Sequence, residues 1–258
     1  PQGPLGNAEA VSIFRSACLT RVLDQQSRAM QAAGQGFYTI GSSGHEGMAA
    51  VAAALRPTDM AFLHYRDAAF QIQRAEQVPG QNMTWDMLLS FACSAEDPIS
   101  GGRHKVLGSK ALNIPPQTST IASHLPKAVG AAYSLGLARR CPPAFEAIER
   151  DAIVVCSFGD ASVNHSTAQG AFNTAQWTSY QSVPLPLLFV CEDNGIGIST
   201  RTPSGWVRAT FEHRPGMRYF ACDGLDIYET FRVASEAADY VRKRRKPAFL
   251  HIRTIRLY

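Results

Sequence analysis

The sequence predicts an α/β protein: a three-layer α/β/α domain with a mainly parallel sheet and a helical N-terminal region. Two observations carry this class. Beyond Ala152, continuous apolar runs alternate with segments of helical periodicity, as strands covered on both faces alternate with crossover helices. Two of those runs also stop abruptly: "AIVVCSFGDASVNHS" and "PLPLLFVCEDNGIGIST" each pass from core residues to an acid, an amide and a small residue. With 258 residues, 45% of them hydrophobic, the chain suits one large α/β domain and can bury a core.

Residues 1–35 are expected to form an N-terminal helical extension and residues 36–258 the α/β domain. In "EAVSIFRSACLTRVLDQQSRAMQA", the residues Val11, Phe14, Cys18, Val22 and Met30 recur at mostly helical spacing. A Gly- and Ser-rich passage, "GQGFYTIGSSGHEG", leads into a small-residue helix, "MAAVAAALR". After "PTD" come "MAFLHYRDAAF" and a further helical segment, "TWDMLLSFACS". The stretch "EDPISGGRHKVLGSKALNIPPQTSTIA" has the composition of a long loop, and such loops are usually functional or disordered. Ser123 is placed to cap "LPKAVGAAYSLGLARR", with Pro126 tolerated in the first turn. The strand "AIVVCSF" is followed by a helix through "STAQGAFNTAQWTS", the strands "PLLFVCE" and "MRYFACDG", the helix "DIYETFRVASEAADYVRKR" and the strand "PAFLHIRTIRL".

Composition narrows the function. The formal charge is +4, and much of the local excess is "VRKRRK" at the end of a helix. No aromatic residues interleave with those cations, so a solvated last turn is favoured over a nucleic-acid patch. No apolar run reaches the roughly 18 residues of a membrane helix, and the N-terminus lacks a basic segment leading into an apolar one. Cys18, Cys93, Cys141, Cys156, Cys191 and Cys222 are scattered without a C-x-x-C pair, which suits reduced thiols. The expectation is a cytoplasmic protein with no membrane or nucleic-acid partner.

Strands joined by one right-handed crossover point the same way, and their C-terminal ends open on the edge where α/β sheets bind ligands. If the strands before Asp160 and Asn194 are neighbours, both side chains reach one crevice. The "GDAS" turn between them opens a helix whose free N–H groups favour phosphate. A carboxylate, an amide oxygen and a main-chain carbonyl make the hard-oxygen set Mg²⁺ prefers, with phosphate oxygens completing the shell. Taken alone, the same residues also fit a strand-end acid in an ordinary turn.

"GDAS" followed by "EDNGIGIS" resembles the thiamine diphosphate signature of a GDG triplet and a downstream pair of Asn. More narrowly, the chain resembles the alpha subunit, or alpha-type domain, of the decarboxylating component of 2-oxo acid dehydrogenases. "GHEGMAAVAAALRPTDMAFLHYRDAAF", "TSTIASHLPKAVGAAYSLGLARR" and "ACDGLDIYETFRVASEA" extend the likeness from about Gly36 to Tyr258. The resemblance implies the thiamine diphosphate-binding fold with its C-terminal part absent. It assigns Asp160, Asn194 and the Ile196 carbonyl to Mg²⁺. Gly159, Ala161 and Ser162 would lie at the diphosphate, and Tyr65 with Arg66 would hold it, as a planar guanidinium suits phosphate oxygens. Ser119 and Ile121 match loop positions beside the cofactor rings. Each has a plain structural alternative in turn geometry, surface charge or loop packing.

The implied activity is oxidative decarboxylation of a 2-oxo acid and acyl transfer to a lipoyl-bearing transacylase. It requires a beta-type subunit or domain in an alpha2-beta2 assembly, because the family's catalytic glutamate lies on the beta side. No residue of this chain is assigned a catalytic role. The pattern also departs from the family: Ala161 replaces the third glycine, Asp193 replaces the first Asn, and the gap between the motifs is longer, with the surplus expected in an extended loop at "WTSYQSVPLP". His165 is expected to bond within the helix start rather than face substrate, and His45 and His104 to be structural or partner-contacting rather than catalytic. Two rival readings stay open: a non-catalytic assembly subunit, motivated by Ala161 and Asp193, and a metal-dependent phosphoesterase, motivated by "GDASVNH". A Rossmann dinucleotide site is excluded, because no G-x-G-x-x-G follows a strand.

Overall fold

The computed structural model describes residues 3–37, 40–103, 106–138 and 149–257; His104 and Cys141 lie outside them. In chain order come α1 (Asn7–Ala32), α2 (Met48–Ala53), β1 (Met60–Phe62), α3 (Ala68–Ala75) and α4 (Met83–Phe91). A small hairpin, β2 (Leu107–Ser109) and β3 (Ile114–Gln117), precedes α5 (Leu125–Ala138). The second half runs β4 (Val154–Gly159), a 3₁₀ turn (Asp160–Asn164), α6 (Ser166–Tyr180), β5 (Leu187–Asp193), a two-stranded ribbon β6 (Ile196–Gly197) and β7 (Thr200–Arg201), α7 (Trp206–Phe211), β8 (Arg218–Asp223), α8 (Ile227–Arg244) and β9 (Ala248–Arg253).

The five long-range strands form one sheet in the order β1-β4-β5-β9-β8, and every neighbouring pair is parallel. Alternation of side chains along each strand divides the core in two. Val155 in β4 and Leu188 and Val190 in β5 face one layer, which holds α1, α2, α3 and α8. Cys156 and Phe158, with Leu187, Phe189 and Cys191, face the other, which holds α5, α6 and α7. Here Phe158, Phe172, Phe189, Phe211 and Phe249 pack mostly edge to face, with Phe211 and Phe249 stacked at 3.9 Å between ring centroids. The three-layer arrangement is the one expected.

Several local expectations are corrected. The helix α1 forms, but the apolar positions that define its period point outward: Val11, Phe14 and Val22 are exposed. Its buried face sets Ile13 and Leu23 into the core and adds a polar set docked by hydrogen bonds. Ser16 Oγ donates to Gln73 Oε1 at 2.8 Å, and Asp24 Oδ2 accepts from the main-chain N–H groups of Ser42 and Ser43 at 2.7 and 2.6 Å. The long "loop" before α5 contains the β2–β3 hairpin. Ser123 does not cap α5; the helix starts at Leu125, and the Ser123 hydroxyl donates backwards to the Thr120 carbonyl at 3.0 Å. Residues Trp177–Tyr180 are the last turn of α6 rather than part of an extended loop.

The basic run at the end of α8 is partly consumed by the fold. Arg242 forms a two-pronged bond to the buried carboxylate of Asp59, at 3.0 and 2.7 Å. Arg245, in the left-handed conformation that ends the helix, donates to the Ala152 carbonyl at 2.9 Å, and Lys243 pairs with Asp239 at 2.9 Å. Among the described residues, no helix is long and apolar enough to cross a membrane.

Candidate functional site

The two abrupt strand ends meet. β4 and β5 are adjacent and in register, Gly159 opposite Glu192, so Asp160 and Asn194 leave the sheet on the same edge. One cleft there gathers Tyr65, Arg66, Ile121, Gly159, Asp160, Ala161, Ser162, Asn194 and Ile196, together with His64, Gly197 and Ile198. Ser119 is the expected site residue that the structure does not bring into the lining. Tyr65 and Arg66 follow β1, which lies beside β4; the Arg66 guanidinium sits 5.2 Å from the Tyr65 ring and donates to the Gly41 carbonyl at 2.5 Å.

Asp160 opens the 3₁₀ turn and is buried. Burial pushes its carboxyl above the ordinary range and Asp193 adds to this, while a hydrogen bond from the Thr202 hydroxyl and the nearby main-chain N–H of Asn194 work the other way. Among the described residues it makes no ion pair. The side-chain oxygen of Asn194 accepts the Ile196 N–H at 3.0 Å, folding that segment back toward Asp160. A buried carboxylate without a cationic partner, beside an amide oxygen and a main-chain carbonyl, is a donor set that fits Mg²⁺. Thr202, brought in by the β6–β7 ribbon, was not expected; a two-residue strand leaves no periodicity to read.

The departures from the family pattern have local answers. Ala161 avoids positive φ, and its methyl group fills the space beside Gly197, where an added Cβ would lie 2.3 Å from it. Asp193 is held in place by hydrogen bonds. His251 Nε2 donates to its Oδ2 at 2.8 Å, the Tyr219 hydroxyl donates to His251 Nδ1 at 2.7 Å, and Asp193 Oδ1 accepts the Gly195 N–H at 3.0 Å. His165 starts α6, accepting the Thr167 N–H at 3.2 Å, so its role is local.

Beneath the cleft lies a network that sequence reading missed. Glu192, the last buried residue of β5, is fully enclosed, with His45 Nδ1 at 2.5 Å and His64 Nδ1 at 3.2 Å from its two oxygens. Burial opposes the charge on Glu192, but attraction and hydrogen bonds from His64 and His45 outweigh it and hold the carboxyl below the usual range. Burial, then the Glu192 charge, pushes Asp67 well above its usual range, and burial pulls His64 down. The ligand-type atoms of His45, His64 and Glu192 lie within 4.8 Å of one another. The 2.5 Å contact is nevertheless a hydrogen bond, tighter than two ligands on one ion normally approach, so the trio reads as a proton-sharing cluster. The one signal was an acid closing an otherwise apolar strand, and it resembles any strand-end acid.

The family profile described as "Dehydrogenase E1 component" matches residues 14–258. The chain is 26% identical over 259 residues to the mouse protein named 2-oxoisovalerate dehydrogenase subunit alpha, mitochondrial, covering 98% of this chain and 54% of that protein. It is 27% identical over 262 residues to the alpha subunit of the same name from Bacillus subtilis, covering 98% and 72%. An Arabidopsis thaliana relative, alpha 2, is 26% identical over 253 residues, covering 96% and 49%. The chain thus spans about half the length of several relatives it matches. The family profile covers nearly the whole chain, and the chain belongs to the dehydrogenase E1 component family.

Proposed function

We propose that this chain is the diphosphate-holding half of a thiamine diphosphate site in a 2-oxo acid dehydrogenase. The observation that carries the reading is the convergence of Asp160, Asn194 and the Tyr65–Arg66 pair on one cleft. Asp160, Asn194 and the Ile196 carbonyl would hold Mg²⁺. Arg66 and the main-chain N–H groups at Ala161 and Ser162 would hold the diphosphate, with Ile121 and the neighbouring Ser119 loop beside the cofactor rings. When bound, thiamine diphosphate supplies the electron sink for decarboxylation. This chain's part is to fix the cofactor's anionic end and keep it in place.

The remaining parts of the proposal are a beta-type subunit in an alpha2-beta2 assembly, a lipoyl-bearing transacylase as acyl acceptor, and a reducing cytoplasmic setting. The last is supported by the free cysteines among the described residues, of which Cys156, Cys191 and Cys222 are buried. The relatives' names make a branched-chain 2-oxo acid the first substrate to try, ahead of pyruvate and others.

The test is a thermal shift of the chain assembled with its beta-type partner. At a hundred times the dissociation constant, thiamine diphosphate with Mg²⁺ stabilises by about 2.7 kcal/mol. That shift is expected only with both present, together with decarboxylation of at least one member of a 2-oxo acid panel. No shift favours an assembly subunit; Mn²⁺-driven phosphate-ester cleavage favours a phosphoesterase.

A further inference from the structure

Asn194 ligates a cation only if its oxygen, not its nitrogen, faces the site, and the buried network beneath the cleft bears on that choice. Glu192 turns one carboxylate oxygen to His45 and the other to His64. A carboxylate only accepts, so His45 Nδ1, 2.5 Å from Oε2, carries the hydrogen. The Asn194 oxygen is turned to the Ile196 N–H, so the amide nitrogen faces the ring, and the other ring nitrogen, Nε2, is the one with a lone pair. It lies 3.0 Å from Asn194 Nδ2, and the pair is satisfied only with the amide nitrogen donating to the ring. With its nitrogen engaged, the amide presents Oδ1 on its other side, where it accepts the Ile196 N–H at 3.0 Å and keeps a second lone pair free. One consistent set of hydrogens runs from Glu192 through His45 and Asn194 to Ile196.

We propose that His45 is a positioning residue for the metal site: its Nε2, made an acceptor by Glu192, fixes the Asn194 amide with the carbonyl oxygen toward the cation. The assignment rests on the Mg²⁺ site proposed above. An amide reversed in that position would offer the ion two N–H donors and no lone pair. His45 and Glu192 are both fully enclosed, so water does not compete for either bond. Outer partners that orient metal ligands in this way commonly change metal affinity by about 10- to 100-fold when removed.

Two amide substitutions divide the ring's functions. In His45→Gln the amide reaches the place of Nε2 and can accept from Asn194, but the bond to Glu192 is lost. In His45→Asn the amide nitrogen takes the place of Nδ1 and keeps the Glu192 bond, but Asn194 loses its partner. The measurement is Mn²⁺ affinity of the assembled protein with thiamine diphosphate, read from free Mn²⁺ by electron paramagnetic resonance. Expected is an affinity within about threefold of wild type for His45→Gln and a loss of at least about tenfold for His45→Asn. The reverse order, equal losses, or no loss in either variant overturns the proposal, because a ring that merely packs against Glu192 behaves in one of those ways. If His45→Asn does not fold, His45→Leu, which keeps neither bond, takes its place: a loss of at least about tenfold beside retained affinity in His45→Gln supports the proposal, and equal affinities overturn it. Failure of the wild type to bind Mn²⁺ with the cofactor would instead overturn the underlying site reading, and the assignment with it.

Discussion

The C-terminal edge of the sheet has two halves that treat their polar groups differently. On the β5–β9–β8 side, each strand-end acid has a partner: Asp193 has His251, and Asp223 has Arg253, whose hydrogen bond holds its carboxyl below the ordinary range. On the β1–β4 side, Asp160 is buried and, among the described residues, unpaired, with its carboxyl pushed up by burial. On the same side His124 is also enclosed, donating from Nε2 to the Ser157 carbonyl of β4 at 2.7 Å, while among the described residues its Nδ1 finds no partner. Acids held by partners on one half are what a structural edge needs. A buried carboxylate with no cationic partner on the other is what a cation site needs.

The contrast can be broken by acid. Burial pulls His124 from 6.5 down to about 4. The unfolded chain therefore binds a proton that the native state refuses, and stability falls as pH drops through the window from 6.5 to about 4. The loss from this residue approaches about 3 kcal/mol at the acid end. Denaturant titrations across that window should show it, and His124→Gln, which keeps the donor to Ser157, should remove most of it. An equal flattening in His251→Gln would erase the distinction between the halves.

Steric fit on the β4 side gives the next effect. Gly197→Ala places a methyl group against that of Ala161 and is expected to cost about 1–3 kcal/mol. Adding Ala161→Gly should return most of that loss in a denaturation assay. Failure of this rescue would mean that the two positions do not trade volume.

Exchanging the acids for amides gives smaller shifts of opposite sign. Asp160→Asn removes a buried charge and should raise the stability of the unliganded protein by on the order of 1 kcal/mol, while eliminating Mg²⁺-dependent cofactor binding. Asp193→Asn loses a partly exposed pair with His251 and should lower stability by under about 1 kcal/mol, with metal affinity changed by less than about threefold. Melting curves with and without Mg²⁺ and thiamine diphosphate read both quantities. Matching behaviour of the two variants would show that the edge is uniform.

How much of this was legible follows from range. The strands β4, β5, β8 and β9 announce themselves as apolar runs, and the polar residues that end two of them lie at fixed positions in the chain, so Asp160, Asn194 and their meeting could be read in advance. Thr202 and Glu192 could not, because each gains meaning only from a contact across the fold: Thr202 with Asp160, Glu192 with His45 and His64. The buried face of α1 was hidden for a different reason. That face mixes Ile13 and Leu23 with Ser16, Thr20 and Asp24, so a period counted on Val11, Phe14 and Val22 pointed to the opposite, exposed side. Asp193 reads in the sequence as a liability beside a diphosphate; the hydrogen bond from His251, in β9, that fixes it in place is a contact across the fold.

The most direct measurement is the position of Mn²⁺, substituted for Mg²⁺, in an anomalous difference map from crystals of the assembled protein with thiamine diphosphate. The account predicts a single strong peak at ~2.2 Å from an Asp160 carboxylate oxygen and from Asn194 Oδ1. A peak between His45, His64 and Glu192, or none near Asp160, would contradict it.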